Sequence, residues 1–146
     1  MKSIQKVTRV KLKINQHNDF ILLGLVSAEP DYKLSLALNK KFGIALKNIS
    51  AVKLTDDNGY ELAFSRFSSA IGSPDIIFNL ISNRSGKHFL LNKLKNVDYI
   101  FQVQDPENEY NINLTTASLR EIESVIAVFN IDLNTFKDKN LKYLAH

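Results

Sequence analysis

The feature that most constrains the fold is a regular alternation of side chains from residue 97 to residue 104, in the sequence VDYIFQVQ. The odd-numbered positions are all apolar or aromatic: Val97, Tyr99, Phe101 and Val103. The even-numbered positions are mostly polar: Asp98, Ile100, Gln102 and Gln104. Because successive side chains of a β-strand point to opposite faces, this period of two predicts a strand with its first set on a core. The second set, including Ile100, is expected on the outer face.

Other short runs predict that this strand belongs to an antiparallel sheet. Residues 20–26 are apolar throughout, which is typical of a central or well-covered strand. The pair Asn58-Gly59 between two alternating runs is a hairpin signal, because both residues tolerate positive φ. The predicted strands cover residues 10–14, 20–26, 49–54, 60–67, 75–82, 87–91 and 97–104. The short turns between consecutive strands favour a meander.

A helix is predicted over residues 31–42. Leu34, Leu38 and Phe42 recur at i, i+4 and i+8, which places them on one face. Asp31 stands where a helix cap is expected, and Gly43 follows as the residue that ends the helix. Two lysines occupy the last turn, where cations meet the negative end of the helix dipole. These signals agree with one another, so this is the clearest helix of the chain.

A second helix is predicted to begin at residues 115–118, because Ser118 and Glu121 have the spacing of a capping box. Leu119 and Ile122 would form its buried stripe. Residues 125–131 fit either a continued helix or an added strand, and their β-branched side chains favour the strand. The sequence therefore predicts one α+β domain over residues 1–146, a mainly antiparallel, meander-type sheet with two helices packed on one face.

The charge is distributed unevenly along the chain. Residues 1–53 carry ten Lys and Arg against three Asp and Glu, a net +7, and the remainder carries nine against twelve, a net −3. A basic half favours attraction to a polyanion or to an acidic protein surface. The absence of Cys excludes disulfides, thiolate metal sites and cysteine nucleophiles, and it fits a reducing compartment. No apolar run approaches the ~20 residues that span a bilayer, so no membrane segment is expected.

Motifs that carry chemistry are missing from the sequence. It contains no Gly-x-Ser-x-Gly elbow and no glycine-rich phosphate loop. The three histidines, His17, His88 and His146, lack the spacing of metal ligands on a helix. The sequence therefore predicts no catalytic residue, no metal and no cofactor. It leaves the question of an enzyme open and favours a protein that is not one.

The segment Leu94-Lys95-Asn96-Val97-Asp98-Tyr99 resembles the signature of the bacterial IPExxxVDY family. Two other segments are similar to that family's first helix and central strand: Asp31-Tyr32-Lys33-Leu34 with Leu38-Asn39-Lys40 and Gly43, and Leu80-Ile81-Ser82-Asn83. The Ile-Pro-Glu part of the signature falls on Leu91-Asn92-Lys93, so a base replaces the acid. The family has no established activity. The resemblance implies the fold and a cytoplasmic bacterial setting, and it transfers no catalytic residue.

The favoured function is non-catalytic binding, most simply to another protein or to a second copy of the chain. It is motivated by the charge polarity, by the missing catalytic motifs and by the expected exposure of Ile100. The alternative is RNA binding through the basic N-terminal half. The candidate interaction residues are Lys11, Lys13, Lys40, Lys41, Lys93, Lys95, Asp98 and Tyr99. For Asp98 and Tyr99 a purely structural role is the alternative, because buried aromatic residues usually serve packing.

Overall fold

The computed structural model describes residues 20–69, 76–105, 111–133 and 135–144. The predicted strand that carries Lys11 and Lys13 lies outside these residues. The described strands are β1 (Phe20–Val26), β2 (Lys47–Thr55), β3 (Glu61–Ser68), β4 (Ile77–Ser82), β5 (Arg84–Ser85), β6 (His88–Phe89), β7 (Tyr99–Gln104) and β8 (Ala127–Asn130). The described helices are α1 (Asp31–Phe42), α2 (Ile112–Arg120) and a 3₁₀ helix (Lys139–Tyr143).

The main sheet has six strands in the order β2-β3-β4-β7-β1-β8, and β5 pairs with β6 in a separate hairpin. Every pairing in the main sheet is antiparallel. All six residues of β7 pair with β1 on one side and with β4 on the other, so the VDYIFQVQ strand is central in the sheet. The predicted α+β fold with a mainly antiparallel sheet is confirmed.

Both helices pack on one face of the sheet, as the sequence predicts. On that face Leu23, Phe101, Leu80 and Phe67 stand side by side across β1, β7, β4 and β3. The same core cluster contains Leu34 and Leu38 of α1 together with Leu119 of α2. At the end of α1, the ring of Phe42 lies 5.6 Å from that of Phe101, centroid to centroid. This face is therefore closed by helices.

The helix ends confirm one prediction and correct two. Gly43 follows α1 with φ 65° and donates its backbone N–H to the carbonyl of Asn39, as a left-handed C-terminal glycine does. Pro30, and not Asp31, occupies the N-cap position of α1. The predicted start of α2 at residues 115–118 is wrong. Asn111 caps this helix, its side-chain oxygen accepting from the backbone N–H groups of residues 113 and 114.

The second face of the sheet is also buried, which corrects the expectation for Ile100. Ile100 is fully buried, in a second core cluster with Leu22, Phe64 and Ile81. The cover consists of residues 90–94 and of the C-terminal segment, residues 131–133 and 135–144. The sequence predicts Ile100 on the outer face because it alternates with polar residues. One of those neighbours, Gln102, does not face water either, because it is only 2% exposed.

The buried polar side chains of this second face satisfy one another. Asn79 donates its side-chain amide to Oε1 of Gln102 over 3.0 Å. Gln102 in turn donates Nε2 to the carbonyl of Leu144. A buried amide without partners costs a few kcal/mol, so these bonds are needed where the C-terminal segment covers the sheet. They attach the end of the described chain to the central strand.

The open question at residues 125–131 is resolved in favour of the strand. β8 pairs antiparallel with β1, from Leu23↔Asn130 to Val26↔Ala127. Val128 points into the helix-covered core, whereas Phe129 is 41% exposed at the edge of the sheet. The backbone N–H of Ile131 donates to the carbonyl of Leu22 and extends this contact. From there the chain crosses to the second face.

Candidate functional site

Asp98, one of the predicted interaction residues, makes its contacts inside the molecule. Its Oδ2 accepts from the backbone N–H of Ser27 at 2.9 Å, and its Oδ1 accepts from Nε of Arg84 at 2.6 Å. Its own N–H donates to the carbonyl of Leu25. Arg84 also lies over the ring of Phe89, 4.8 Å from its centroid. Asp98 thus ties the end of β1 to the β5–β6 hairpin, with a carboxylate whose oxygens are both engaged.

Tyr99 has a similar structural position one residue further along. Its side chain is buried in the helix-covered core, and its hydroxyl donates to the carbonyl of Glu29 at 2.6 Å. Burial raises the pKa of this hydroxyl to about 12, and the negative charges of Asp31, Asp98 and Glu29 act in the same direction. Tyr99 therefore stays protonated and remains a hydrogen-bond donor over the physiological pH range.

Val97 completes the group and lies on the opposite face from Tyr99. A Cβ atom built on Gly24 of β1 would lie 2.9 Å from Cγ2 of Val97, so only glycine leaves room for that side chain. The sequence places Val97 and Tyr99 on the same face, and this is wrong because β7 begins only at Tyr99. Val97, Asp98 and Tyr99 thus contact residues 24–29 in turn and fix the connection between β1 and α1.

Asn83 holds the turn that precedes these three residues. It is fully buried, and its side-chain NH₂ donates to the carbonyls of Leu94 and Val97, each at 2.9 Å. Its Oδ1 accepts from the backbone N–H of Leu91 at 2.8 Å. Residues 91–97 therefore have a defined shape although they form no regular element. This turn carries Lys93 and Lys95.

The predicted lysines that the structure describes do not form one patch: Lys40, Lys41, Lys93 and Lys95. Lys40 and Lys41 lie at the end of α1, over the helix-covered face, and Lys41 forms an ion pair with Glu121 beyond α2. Lys95 is exposed, and its carbonyl accepts from Nη2 of Arg84. Lys93 belongs to the opposite face, where it lines a cleft that also contains Leu22. Lys11 and Lys13 lie outside the described residues.

The cleft beside Lys93 is the candidate functional site, and we call it the lysine cleft. Its volume is about 870 Å³. Its four lysines are all exposed: Lys93, Lys137, Lys139 and Lys142. Its apolar lining is buried or partly buried: Leu22, Leu133, Phe136 and Leu141. Asn92 and Asp138 complete the described lining. Charged amines thus surround an apolar floor.

The lysine cleft exists because the C-terminal segment is fixed to residues 90–93. Oδ1 of Asp138 accepts from the N–H of Asn140 and so caps the 3₁₀ helix, while its Oδ2 accepts from the N–H of Lys93 at 3.4 Å. Asn140 is buried and donates its side-chain amide to the carbonyl of Leu90 at 2.5 Å. These contacts hold Lys93 beside lysines that follow it by more than forty residues.

A second concavity, of about 390 Å³, lies beside the lysine cleft and shares Asn92, Lys139 and Lys142 with it. Asp56 and Asp57, in the turn between β2 and β3, line it and give it a negative wall. Oδ1 of Asp56 accepts from the N–H groups of residues 58 and 60, and its Oδ2 lies 4.0 Å from Nε2 of His88. That distance is longer than a hydrogen bond, so Asp56 and His88 do not form a hydrogen-bonded acid–base pair.

The sequence predicts Lys93 as an interaction residue but misses the three lysines that meet it. A signal for them exists in the sequence FKDKNLKYL at residues 136–144, where lysines interrupt a run of apolar side chains. This pattern is typical of a segment that covers a core with its apolar side and exposes its charged side to solvent. Within the described residues, no group of three or more His, Asp or Glu is arranged to hold a metal ion.

Comparison with family models, with curated proteins and with solved structures finds no match to this chain. The resemblance to the IPExxxVDY family therefore stays a prediction. In the described part of the chain, no helix has the length and apolar character that a membrane crossing requires.

Proposed function

We propose that this protein acts by non-catalytic binding to another protein, and that the lysine cleft is the surface that makes the contact. One observation carries the proposal: Lys93 and three lysines of the C-terminal segment surround a shared apolar floor. Protein interfaces combine such features, with apolar side chains at the centre and polar groups at the rim. The proposal includes a cytoplasmic bacterial setting, which the absence of Cys and the IPExxxVDY resemblance support.

The chemistry of the cleft supports binding. A lysine ammonium donates up to three hydrogen bonds and accepts none, so the rim suits carboxylate or phosphate oxygens. Asp138, the carboxylate of the described lining, already accepts from two backbone N–H groups in forming the wall. The wall is thus held by internal bonds, while the lysine side chains face solvent. A preformed site of this kind limits the entropy that binding costs.

RNA binding through the basic N-terminal half receives less support from the geometry. Two candidate lysines of that half are described, Lys40 and Lys41. They lie on the helix-covered face, away from Lys93. One of them is already paired with Glu121. Capture of RNA is therefore a competing outcome of the experiment.

The experiment is a capture assay with matched charge reversals. The immobilised full chain is incubated with bacterial extract, with and without ribonuclease, and compared with a cleft variant that combines Lys93→Glu, Lys137→Glu and Lys142→Glu. The control combines Lys33→Glu, Lys40→Glu and Lys53→Glu, which changes the net charge equally at exposed positions outside the cleft. Circular dichroism checks that both variants fold.

The proposal expects a captured protein that the control retains, the cleft variant loses and ribonuclease does not release. Capture that ribonuclease abolishes, or that only the control variant loses, would favour RNA or the α1 surface and contradict the proposal. Light scattering of the purified chain measures its oligomeric state and so tests whether the partner is a second copy of the chain. A dimer that the cleft variant alone dissociates identifies the protein partner as a second copy, and a wild-type chain that is monomeric and captures nothing contradicts the proposal.

A further inference from the structure

We infer that the lysine cleft takes a short acidic segment of its protein partner, with one or two apolar side chains seated on the cleft floor. This inference rests on the proposed function and specifies the chemistry of the partner. It commits to a peptide segment as the occupant. A nucleic acid and a fatty acid, which could also carry negative charge to this site, are outcomes of the test.

The charge of the cleft selects an acidic occupant. The ion pairs among the described residues join Lys41 to Glu121, Arg84 to Asp98 and, at 4.0 Å, His88 to Asp56. Thus none of the four cleft lysines is paired with a carboxylate in the described part of the chain. The lining carries four lysines against one carboxylate, that of Asp138. This excess of positive charge raises the electrostatic potential of the cleft, which attracts an anionic partner and speeds its association.

The floor of the cleft selects an apolar anchor. Phe136, Leu133 and Leu141 are only partly buried, although they pack against the second core cluster. Each therefore presents some apolar surface that a partner side chain would cover. Binding sites for small groups usually enclose a few hundred to about 1,000 Å³, and the lysine cleft lies within that range. It holds a few residues of a peptide and is too small for a folded domain.

The neighbouring concavity limits where an acidic segment lies. It shares Lys139 and Lys142 with the lysine cleft, but Asp56 and Asp57 form its other wall. A segment rich in carboxylates is repelled by that wall, whereas the side of the 3₁₀ helix that faces Lys93 attracts it. The second concavity thus has two carboxylates against two lysines, whereas the lysine cleft is mainly positive. The segment is therefore expected to leave the cleft on the side away from Asp56 and Asp57.

The test measures fluorescence anisotropy of a labelled hexapeptide, Asp-Glu-Phe-Leu-Glu-Asp, titrated with the full chain. One comparison peptide replaces the acids by their amides, and another replaces Phe and Leu by Ser. The protein variants combine Lys93→Gln, Lys137→Gln and Lys142→Gln in the cleft, or Lys33→Gln, Lys40→Gln and Lys53→Gln as the control. Sodium dodecanoate and a uridine oligonucleotide serve as competitors. The exposed positions of all six lysines leave the core of both variants intact.

The cleft variant loses three exposed ion pairs with the acidic peptide. At the typical strength of such pairs, it should bind the peptide about tenfold more weakly. Loss of the apolar anchor predicts a decrease of about thirtyfold, from the transfer energy of side chains of this size. Raising the salt concentration from about 0.05 M to about 0.5 M weakens binding further, because the Debye length becomes shorter than the cleft. The control variant binds as the wild type does.

Several results would overturn the inference. These are equal binding of the amide peptide, unchanged binding to the cleft variant, and no saturation up to about 1 mM protein, the limit of a weak specific contact. A further contrary result is that dodecanoate or the oligonucleotide displaces the labelled peptide completely at a far lower concentration than unlabelled peptide does. That result would identify the competitor as the occupant. If the peptide fails but extract capture still depends on the cleft lysines, the proposed function stands and only the peptide chemistry is wrong. If capture fails as well, both are wrong.

Discussion

Replacement of Asn83 by alanine is predicted to destabilise the protein by about 3 kcal/mol. The Asn83 side chain makes two buried hydrogen bonds, to the carbonyl of Val97 and from the N–H of Leu91, and a partly buried one to the carbonyl of Leu94. A typical intramolecular hydrogen bond contributes about 1 kcal/mol net, so the loss of three bonds gives about 3 kcal/mol. The destabilisation would be larger if the three backbone groups stayed buried without partners. The side chain is fully buried, so water cannot replace these bonds without opening the turn.

The assay is urea unfolding of the wild type and of Asn83→Ala, followed by circular dichroism. Asn48→Ala is the matched control, because Asn48 is exposed and its single side-chain bond, to the carbonyl of Arg66, is 3.5 Å long. Exposed substitutions of this kind change the free energy of unfolding by less than about 0.5 kcal/mol. A loss below about 1 kcal/mol for Asn83→Ala, at an unchanged urea dependence, would refute the role given to Asn83.

The isosteric change Asn83→Asp separates the hydrogen bonds from the shape of the side chain. An ionised carboxylate accepts from Leu91 but donates nothing to the carbonyls of Leu94 and Val97. Burial and the two carbonyls favour the protonated acid, so its pKa in the folded protein should lie above the unfolded value of about 3.9. The variant should therefore regain stability as the pH falls towards 4 and lose it as the pH rises.

Other substitutions test the central strand and its contacts. Tyr99→Phe removes a hydroxyl whose folded pKa is about 12 against 10 in the unfolded chain. The hydroxyl's contribution is therefore present below pH 10 and lost as the pH rises to 12, by at most about 3 kcal/mol. Denaturant unfolding across this range should show the wild type losing its advantage over Tyr99→Phe, and a constant difference would contradict the burial. Gly24→Ala is expected to cost about 1 to 3 kcal/mol because Val97 blocks the new methyl group. Thermal unfolding of the double variant with Val97→Ala should show less than the sum of the two losses, whereas additivity would rule out the clash. Ile100→Ala should cost about 2 to 5 kcal/mol in the same measurement, and a change within about 0.5 kcal/mol would mean that this face is open.

The sheet and its first helix were predictable because their signals are local. Alternation in residues 97–104, the Asn58-Gly59 turn and Gly43 after α1 each specify backbone conformation within a few residues. The start of α2 was missed because Ser118 and Glu121 match a capping box in spacing alone. Asn111 supplies the cap in the structure, seven residues before Ser118.

The second buried face and the lysine cleft depend on contacts between distant parts of the chain. Ile100 follows the alternation of an exposed position, and the residues that cover it come from residues 90–94 and from the C-terminal segment. For the same reason Lys93 was predicted without its three neighbours. Their convergence requires the bonds of Asp138 and Asn140 to residues 90–93, which no sequence period encodes.

The hydrogen bonds of the VDY segment were equally hidden in the sequence. The alternation predicts that Val97 and Tyr99 are buried, and both are. It does not show that Val97 needs Gly24, that Asp98 binds Ser27, or that the hydroxyl of Tyr99 reaches Glu29. These contacts give each of the three residues a structural role at the end of β1.

The most direct test of the lysine cleft as the binding surface is an amide ¹H–¹⁵N correlation spectrum of the full chain, titrated with the acidic hexapeptide. Amides next to the bound segment should shift, at Asn92 and Lys93 and from residue 136 to residue 142. Those at Lys40 and Lys41, on the helix-covered face, should not. Saturable shifts confined to the cleft amides are the predicted result. Shifts centred on the end of α1, or no shifts at peptide excess, would contradict the assignment of the cleft.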